Sequence, residues 1–163
     1  MNKFVLLSNG FREMATLTRY LLDTNVLVHF VRGSLVWDQI RATYQPLIVT
    51  PTPQYCLVSE GEIRSLALQW KWGSKKLEQM EFCLRFFQTQ SIDHPKIVRS
   101  YAAIDAYCES IGQSLGKNDI WIAATAAVIG ATLLTTDRDF DRLAPKYLDR
   151  VWIDPDTGQV ALS

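Results

Sequence analysis

Apolar residues along this chain fall into short unbroken runs separated by stretches with helical spacing, and the alternation between the two predicts an architecture. Thr18–Leu22 reads as a strand ending at Asp23, and Thr24 to Val31 as a helix that Gly33 stops. Leu35–Tyr44 reads as a second helix. Pro46–Thr50, centred on Leu47-Ile48-Val49, reads as a short buried strand before the breakers Pro51 and Pro53. From Tyr55 to Trp70 apolar residues recur at Ile63, Leu66, Ala67 and Trp70, which predicts a helix. Gly73 then separates it from an amphipathic helix capped by Ser74 and carrying Leu77, Met80, Leu84 and Phe87.

Ser91-Ile92-Asp93 reads as a brief strand, and Ile97–Ile111 as a helix with Gly112 and Gly116 in the loop beyond it. Lys117-Asn118-Asp119 opens an almost wholly apolar helix to Ile129, which Gly130 ends. Thr132–Thr136 forms a strand before the acidic loop Asp137-Arg138-Asp139-Phe140-Asp141, and Val151–Asp154 is a last short strand. Buried strands alternating with helices predict a single-domain, Rossmann-like α/β/α three-layer sandwich with a mainly parallel sheet. Residues 1–17 read as a disordered lead-in in which Met14 is an alternative start, residues 18–155 as the domain, and 156–163 as a tail. In such sheets ligands bind beyond the carboxyl ends of the strands, so Asp23 and Asp137 stand where chemistry is expected.

A length of 163 residues with 48% hydrophobic content fits one core and one site. Lysine plus arginine number 17, as do aspartate plus glutamate, so no global field attracts a polyanion and any nucleic acid must be held locally. Cys56, Cys83 and Cys108 are odd in number and lack ligand spacing, which fits reduced thiols in a cytoplasmic protein. With only His29 and His94, histidine-based zinc sites and Ser-His-Asp hydrolysis lack material. Phe4–Leu7 is too short for a signal-peptide core, and the uncharged run Ile120–Thr136 is shorter than the roughly 20 residues of a membrane span. No GxGxxG or GxxxxGKS/T cradle is present.

Asp23 and Asp137 leave predicted strands, and Asp119 begins a buried helix. Singly, each has a plain structural role as a helix cap or a turn residue. Brought together they repel and raise one another's pKa, which a hard divalent cation such as Mg²⁺ or Mn²⁺ would relieve. Glu60 and Glu62 both lie in the third predicted helix, about 200° apart around its axis, and periodicity does not choose between them. Asp137, Asp139 and Asp141 alternate in the acidic loop, with Asp137 following the strand most directly. Phe140 and Leu143 read as core anchors.

Four segments then carry a resemblance. They are Tyr20-Leu21-Leu22-Asp23-Thr24-Asn25-Val26-Leu27, Glu62-Ile63-Arg64 with Ala67, Gly116-Lys117-Asn118-Asp119-Ile120-Trp121-Ile122-Ala123-Ala124, and Leu133-Leu134-Thr135-Thr136-Asp137-Arg138-Asp139-Phe140. In order and spacing they resemble PIN-domain nucleases, more narrowly the VapC-like toxins of bacterial toxin–antitoxin pairs. The resemblance implies a Mg²⁺- or Mn²⁺-dependent ribonuclease whose catalytic and metal-binding carboxylates are Asp23, Glu62, Asp119 and Asp137. Asn25, Asn118 and Thr136 would be supporting groups. It also implies a homodimer and a small antitoxin partner that covers the acidic groove.

For the RNA itself, Arg138 and Arg142 near the acidic loop are candidate phosphate contacts, with Lys146, Arg150 and the junction lysines Lys71, Lys75 and Lys76 as further cations. Trp72 and Tyr44 are candidate base-stacking residues, and the helix around Phe82, Leu84, Phe86 and Phe87 a candidate dimer face. Two rivals share the pattern: a non-catalytic PIN-like module that binds RNA or protein, and another Mg²⁺-dependent phosphoryl-transfer hydrolase. Asp23-Thr24-Asn25 lacks the second aspartate two positions on that a phosphoaspartate phosphatase would use.

Overall fold

The computed structural model describes residues 17–160, so the lead-in and the alternative start at Met14 lie outside the described residues. The strands are β1 (Tyr20–Leu22), β2 (Gln54–Cys56), β3 (Gln88–Gln90), β4 (Thr132–Thr135) and β5 (Arg150–Trp152). The helices are α1 (Thr24–Arg32), α2 (Leu35–Tyr44), α3 (Leu57–Gln69), α4 (Ser74–Phe86), α5 (Pro95–Ser110) and α6 (Lys117–Ile129). A 3₁₀ segment, Arg138–Leu143, follows β4. The five strands form one parallel sheet in the order β3-β2-β1-β4-β5, with Leu22 paired to Leu134 and to Tyr55.

Strand side chains alternate between faces, and that alternation divides the interior in two. Leu22, Tyr55 and Leu134 pack with α1 to α4, whereas Leu21, Cys56 and Leu133 pack with α5, α6 and the anchors Phe140 and Leu143. Each of these six strand residues is at most 1% exposed, and burying one such leucine contributes about 2 kcal/mol. Helix α6 lies between α5 and the sheet, which is why Ile120, Ile122, Ala123, Ala124 and Ala126 are buried and its sequence is apolar on every side. The result is the expected three-layer α/β/α sandwich. Past the sheet the chain turns back, and Val160 forms an antiparallel bridge to Ile153.

Several elements differ from the sequence reading. Pro46–Thr50 is a turn: the N–H groups of Ile48 and Val49 both donate to Gln45 O, and Ile48 is 75% exposed. The strand lies instead at Gln54–Cys56, just past Pro53, within the stretch read as the start of a helix. The edge strand is Gln88-Thr89-Gln90 rather than Ser91-Ile92-Asp93; it pairs only with β2 and has no buried residue to announce it. Gly73, not Ser74, is the N-cap of α4. No helix among the described residues is long and apolar enough to cross a membrane, and the three cysteines are buried free thiols.

Candidate active site

Because the sheet is parallel, the carboxyl ends of β1, β2 and β4 open on one side, and the N-termini of α1, α3 and α6 meet there. Asp23 leaves β1 with its N–H donating to Leu134 O at 3.0 Å. It caps α1, accepting the Thr24 N–H on Oδ1 at 2.7 Å, and its Oδ2 accepts the Thr135 hydroxyl at 2.7 Å. The side chain is only 2% exposed. Burial is the main cause that pushes its carboxyl up to about 7; the Thr135 and Thr24 hydrogen bonds oppose the rise, and the charges of Asp119 and Asp137 add to it.

Asp119 lies in the first turn of α6, whose N-cap, Gly116, gives no side-chain bond. Its carboxylate Oδ2 lies where a Cβ on Gly116 would come within 2.6 Å. Burial, then the charges of Asp137, Glu62 and Asp139, push Asp119 up to about 6. Glu62 enters from α3 and is held from two sides: Thr24 Oγ1 donates to Oε2 at 2.5 Å and Asn118 Nδ2 donates to Oε1 at 2.9 Å. Glu60 turns away, bound to Arg64 at 2.9 Å, and Arg64 in turn reaches Glu81 at 2.6 Å. The rotation of α3 therefore places Glu62 on the groove.

In the acidic loop Asp137 begins the 3₁₀ segment and accepts the Asp139 N–H at 2.8 Å. Asp139 pairs with Arg142 at 2.7 Å and Asp141 with Arg150 at 2.8 Å, while Asp137 has no cationic partner among the described residues. Asp23, Asn25, Glu62, Asn118 and Asp119 line one open groove of about 560 Å³. Asp137, two residues past β4, does not line it but lies close enough for its charge to act on both Asp23 and Asp119.

The oxygens gathered here are hard carboxylate donors with amides beside them, the chemistry that suits Mg²⁺ or Mn²⁺. Burial and mutual repulsion disfavour the charged forms of Asp23 and Asp119, a cost that a divalent cation would offset. Among the described residues no three acidic, imidazole or thiol side chains stand close enough to form a closed metal-binding group.

Several expected contacts are placed differently. The threonine that supports Asp23 is Thr135; Thr136 instead accepts the Trp152 indole N–H on its carbonyl. No pattern in the sequence singles out Thr24, next to Asp23, or Thr135, two residues before Asp137, as supporting groups. Arg142 is engaged internally, donating to Gln113 O at 3.1 Å and Ser114 O at 2.9 Å as well as to Asp139, and its side chain is only 20% exposed. Arg138 lies over the Trp152 ring at 3.6 Å and stays exposed. Trp72 is buried in the core and offers no free face to a base, while Tyr44 is half-buried and packs against Tyr20 in a T-shaped pair. Of the aromatic stretch on α4, Phe82 is exposed while Leu84 and Phe87 are buried.

The sequence matches the family model of the PIN domain over residues 20–146. The chain belongs to the PIN domain family. Three solved structures share its fold. VapBC2 from Rickettsia felis, bound to a DNA fragment from its promoter, aligns with a TM-score of 0.70 at 20% identity, over 82% of this chain and 97% of that one. VapBC-5 from Mycobacterium tuberculosis, a member of the VapBC family of toxin–antitoxin systems, aligns with a TM-score of 0.62 at 20% identity, over 83% and 99%. A toxin–antitoxin complex from Klebsiella pneumoniae aligns with a TM-score of 0.60 at 21% identity, over 77% and 92%. No curated protein sequence matches the chain.

Proposed function

We propose that this PIN domain is a divalent-metal-dependent ribonuclease and the toxin of a toxin–antitoxin pair. One observation carries the reading: Asp23, Glu62 and Asp119, separated widely in sequence, line one groove at the carboxyl end of a parallel sheet, and the charge of Asp137 acts on two of them. Mg²⁺ or Mn²⁺ held by these four residues would stabilise the charge that develops on phosphate oxygens during in-line hydrolysis.

The chain's own residues set the conditions. Asp23, fixed by Thr24 and Thr135, is a rigid buried wall of the site. Glu62 is oriented by Thr24 and Asn118 from opposite sides, so its two oxygens are preset. Asp119 holds its proton up to about pH 6 and releases it more readily once positive charge arrives, which couples site assembly to the cation. Asn25, exposed at the groove edge, is available to a phosphate or ribose oxygen.

A small antitoxin partner belongs to the same proposal, supported by the toxin–antitoxin assemblies among the structures of like fold, and a homodimer is proposed with it on the sequence resemblance alone. The test is cleavage of labelled single-stranded RNA by the purified protein. Cutting is expected with Mg²⁺ or Mn²⁺ and is expected to stop with EDTA or in Asp119→Asn. Asp119 is the better substitution because Asp23 also caps α1. Cutting that survives both controls would refute the reading.

A further inference from the structure

The groove continues beyond the carboxylates. Along α3 its floor is Glu62, Ser65, Leu66 and Gln69, one helix face at spacings of three and four, and Gln69 is the last residue of the helix. Seven residues of rise put that exit about 10 Å from Glu62. The chain then runs directly into Trp70-Lys71-Trp72-Gly73-Ser74-Lys75-Lys76, which frames a second concavity. Between Ser65 and Leu77 there are three lysines and no acid. Lys71, Lys75 and Lys76 are exposed, and none forms an ion pair among the described residues, although Glu78 lies one turn further along α4. A fourth cation comes from the end of α1, where the Arg32 guanidinium sits 4.6 Å over the Trp70 ring.

The backbone fixes where Lys71 stands. Lys71 has a φ of +49°. Its N–H donates to Leu68 O at 3.2 Å, and the Trp72 N–H donates to Ala67 O at 3.0 Å, the paired bonds of a Schellman turn with Trp72 buried against the core. The position Lys71 occupies in that turn ordinarily belongs to glycine, because a Cβ is strained in the left-handed region. Gln45 adopts the same conformation at the end of α2, so what the turn contributes at Lys71 is a fixed backbone from which an exposed cationic side chain projects.

We propose that Arg32, Lys71, Lys75 and Lys76 form a platform for the phosphates of the single-stranded RNA segment that leaves the acidic groove along α3. The proposal rests on the ribonuclease reading. It answers a physical need: the chain is neutral overall and its groove is acidic, so affinity for a polyanion must come from a local cluster of cations. Lysines on flexible stems bind phosphate as point charges and read no base, so the platform holds RNA without choosing its sequence.

The experiment is fluorescence anisotropy in EDTA with a labelled single-stranded RNA of about twenty nucleotides and a four-nucleotide control, across a salt series. The triple variant K71G/K75Q/K76Q is expected to weaken binding of the long RNA about tenfold at low salt and to lower the slope of log affinity against log salt by about 2, leaving the short RNA unaffected. K71G alone should melt no lower than the parent, since glycine relieves the turn, yet bind the long RNA more weakly. RNA bound by the triple variant with an unchanged salt slope would overturn the platform while leaving the ribonuclease reading intact. A parent protein that neither binds nor cuts RNA would overturn both. A triple variant that keeps RNA affinity and loses affinity for a polyglutamate peptide would assign the lysines to an acidic protein partner instead.

Discussion

Thr135 Oγ1 donates to Asp23 Oδ2 at 2.7 Å across 112 residues of sequence, with both side chains closed off from solvent. The same hydroxyl accepts the Asp137 N–H at 2.9 Å, so one side chain positions two carboxylates. Thr135→Val keeps the shape and removes the hydroxyl. It should cost about 1–3 kcal/mol in urea unfolding, because a buried carboxylate oxygen and an N–H lose their partner. It should also move the pH profile of RNA cleavage upward, since the lost bond is one that holds Asp23 down. Thr135→Ser should restore both; a valine variant with an unmoved profile would count against the assignment.

The pH dependence of stability follows from Asp23 and Asp119, raised from 3.8 to about 7 and about 6. The native state binds protons that the unfolded chain has already released. Their contribution is therefore fully present below the unfolded value of 3.8, is lost progressively as pH rises from there, and is gone once pH has passed the folded values of about 6 and about 7. In EDTA the melting temperature should fall over that window, and Asp119→Asn should flatten the fall. Added Mn²⁺ should raise the melting temperature more above pH 7 than below pH 5, as thermal scans at matched ionic strength would show.

Glu60 and Glu62 should separate cleanly in kinetics. Glu62→Gln is expected to reduce RNA cleavage on the order of 100-fold, the scale of losing a preset charge in an active site. Glu60→Gln breaks only a partly exposed pair with Arg64, worth at most about 1 kcal/mol, and should leave cleavage within about twofold.

Gly116→Ala probes Asp119 indirectly. A Cβ there would meet Asp119 Oδ2 at 2.6 Å, and the flexible carboxylate rather than the backbone would give way. Stability should change by less than about 1 kcal/mol. Cleavage and Mn²⁺ affinity, read by calorimetric titration, should drop about tenfold or more.

What the chain determined alone were the features that depend on neighbours in sequence: the helices α1, α2, α5 and α6, the strands β1 and β4 with their apolar runs, and the aspartates that end them. Period and capping are local, and Gly33 and Gly130 stop their helices through φ values that glycine adopts freely. The family motifs were legible for the same reason. Tertiary structure decided what depends on register and rotation. β3 is polar Gln88-Thr89-Gln90, a strand only because β2 offers it a ladder. The pairing of Leu22 with Leu134 carries Asp23 to the level of Thr135, so that residue rather than Thr136 meets the carboxylate. Helix α3 turned Glu62 inward and gave Glu60 to Arg64, and the loop before α6 drew Arg142 away from solvent. Each of these outcomes is a contact between segments distant in sequence, which the spacing of residues within either segment does not specify.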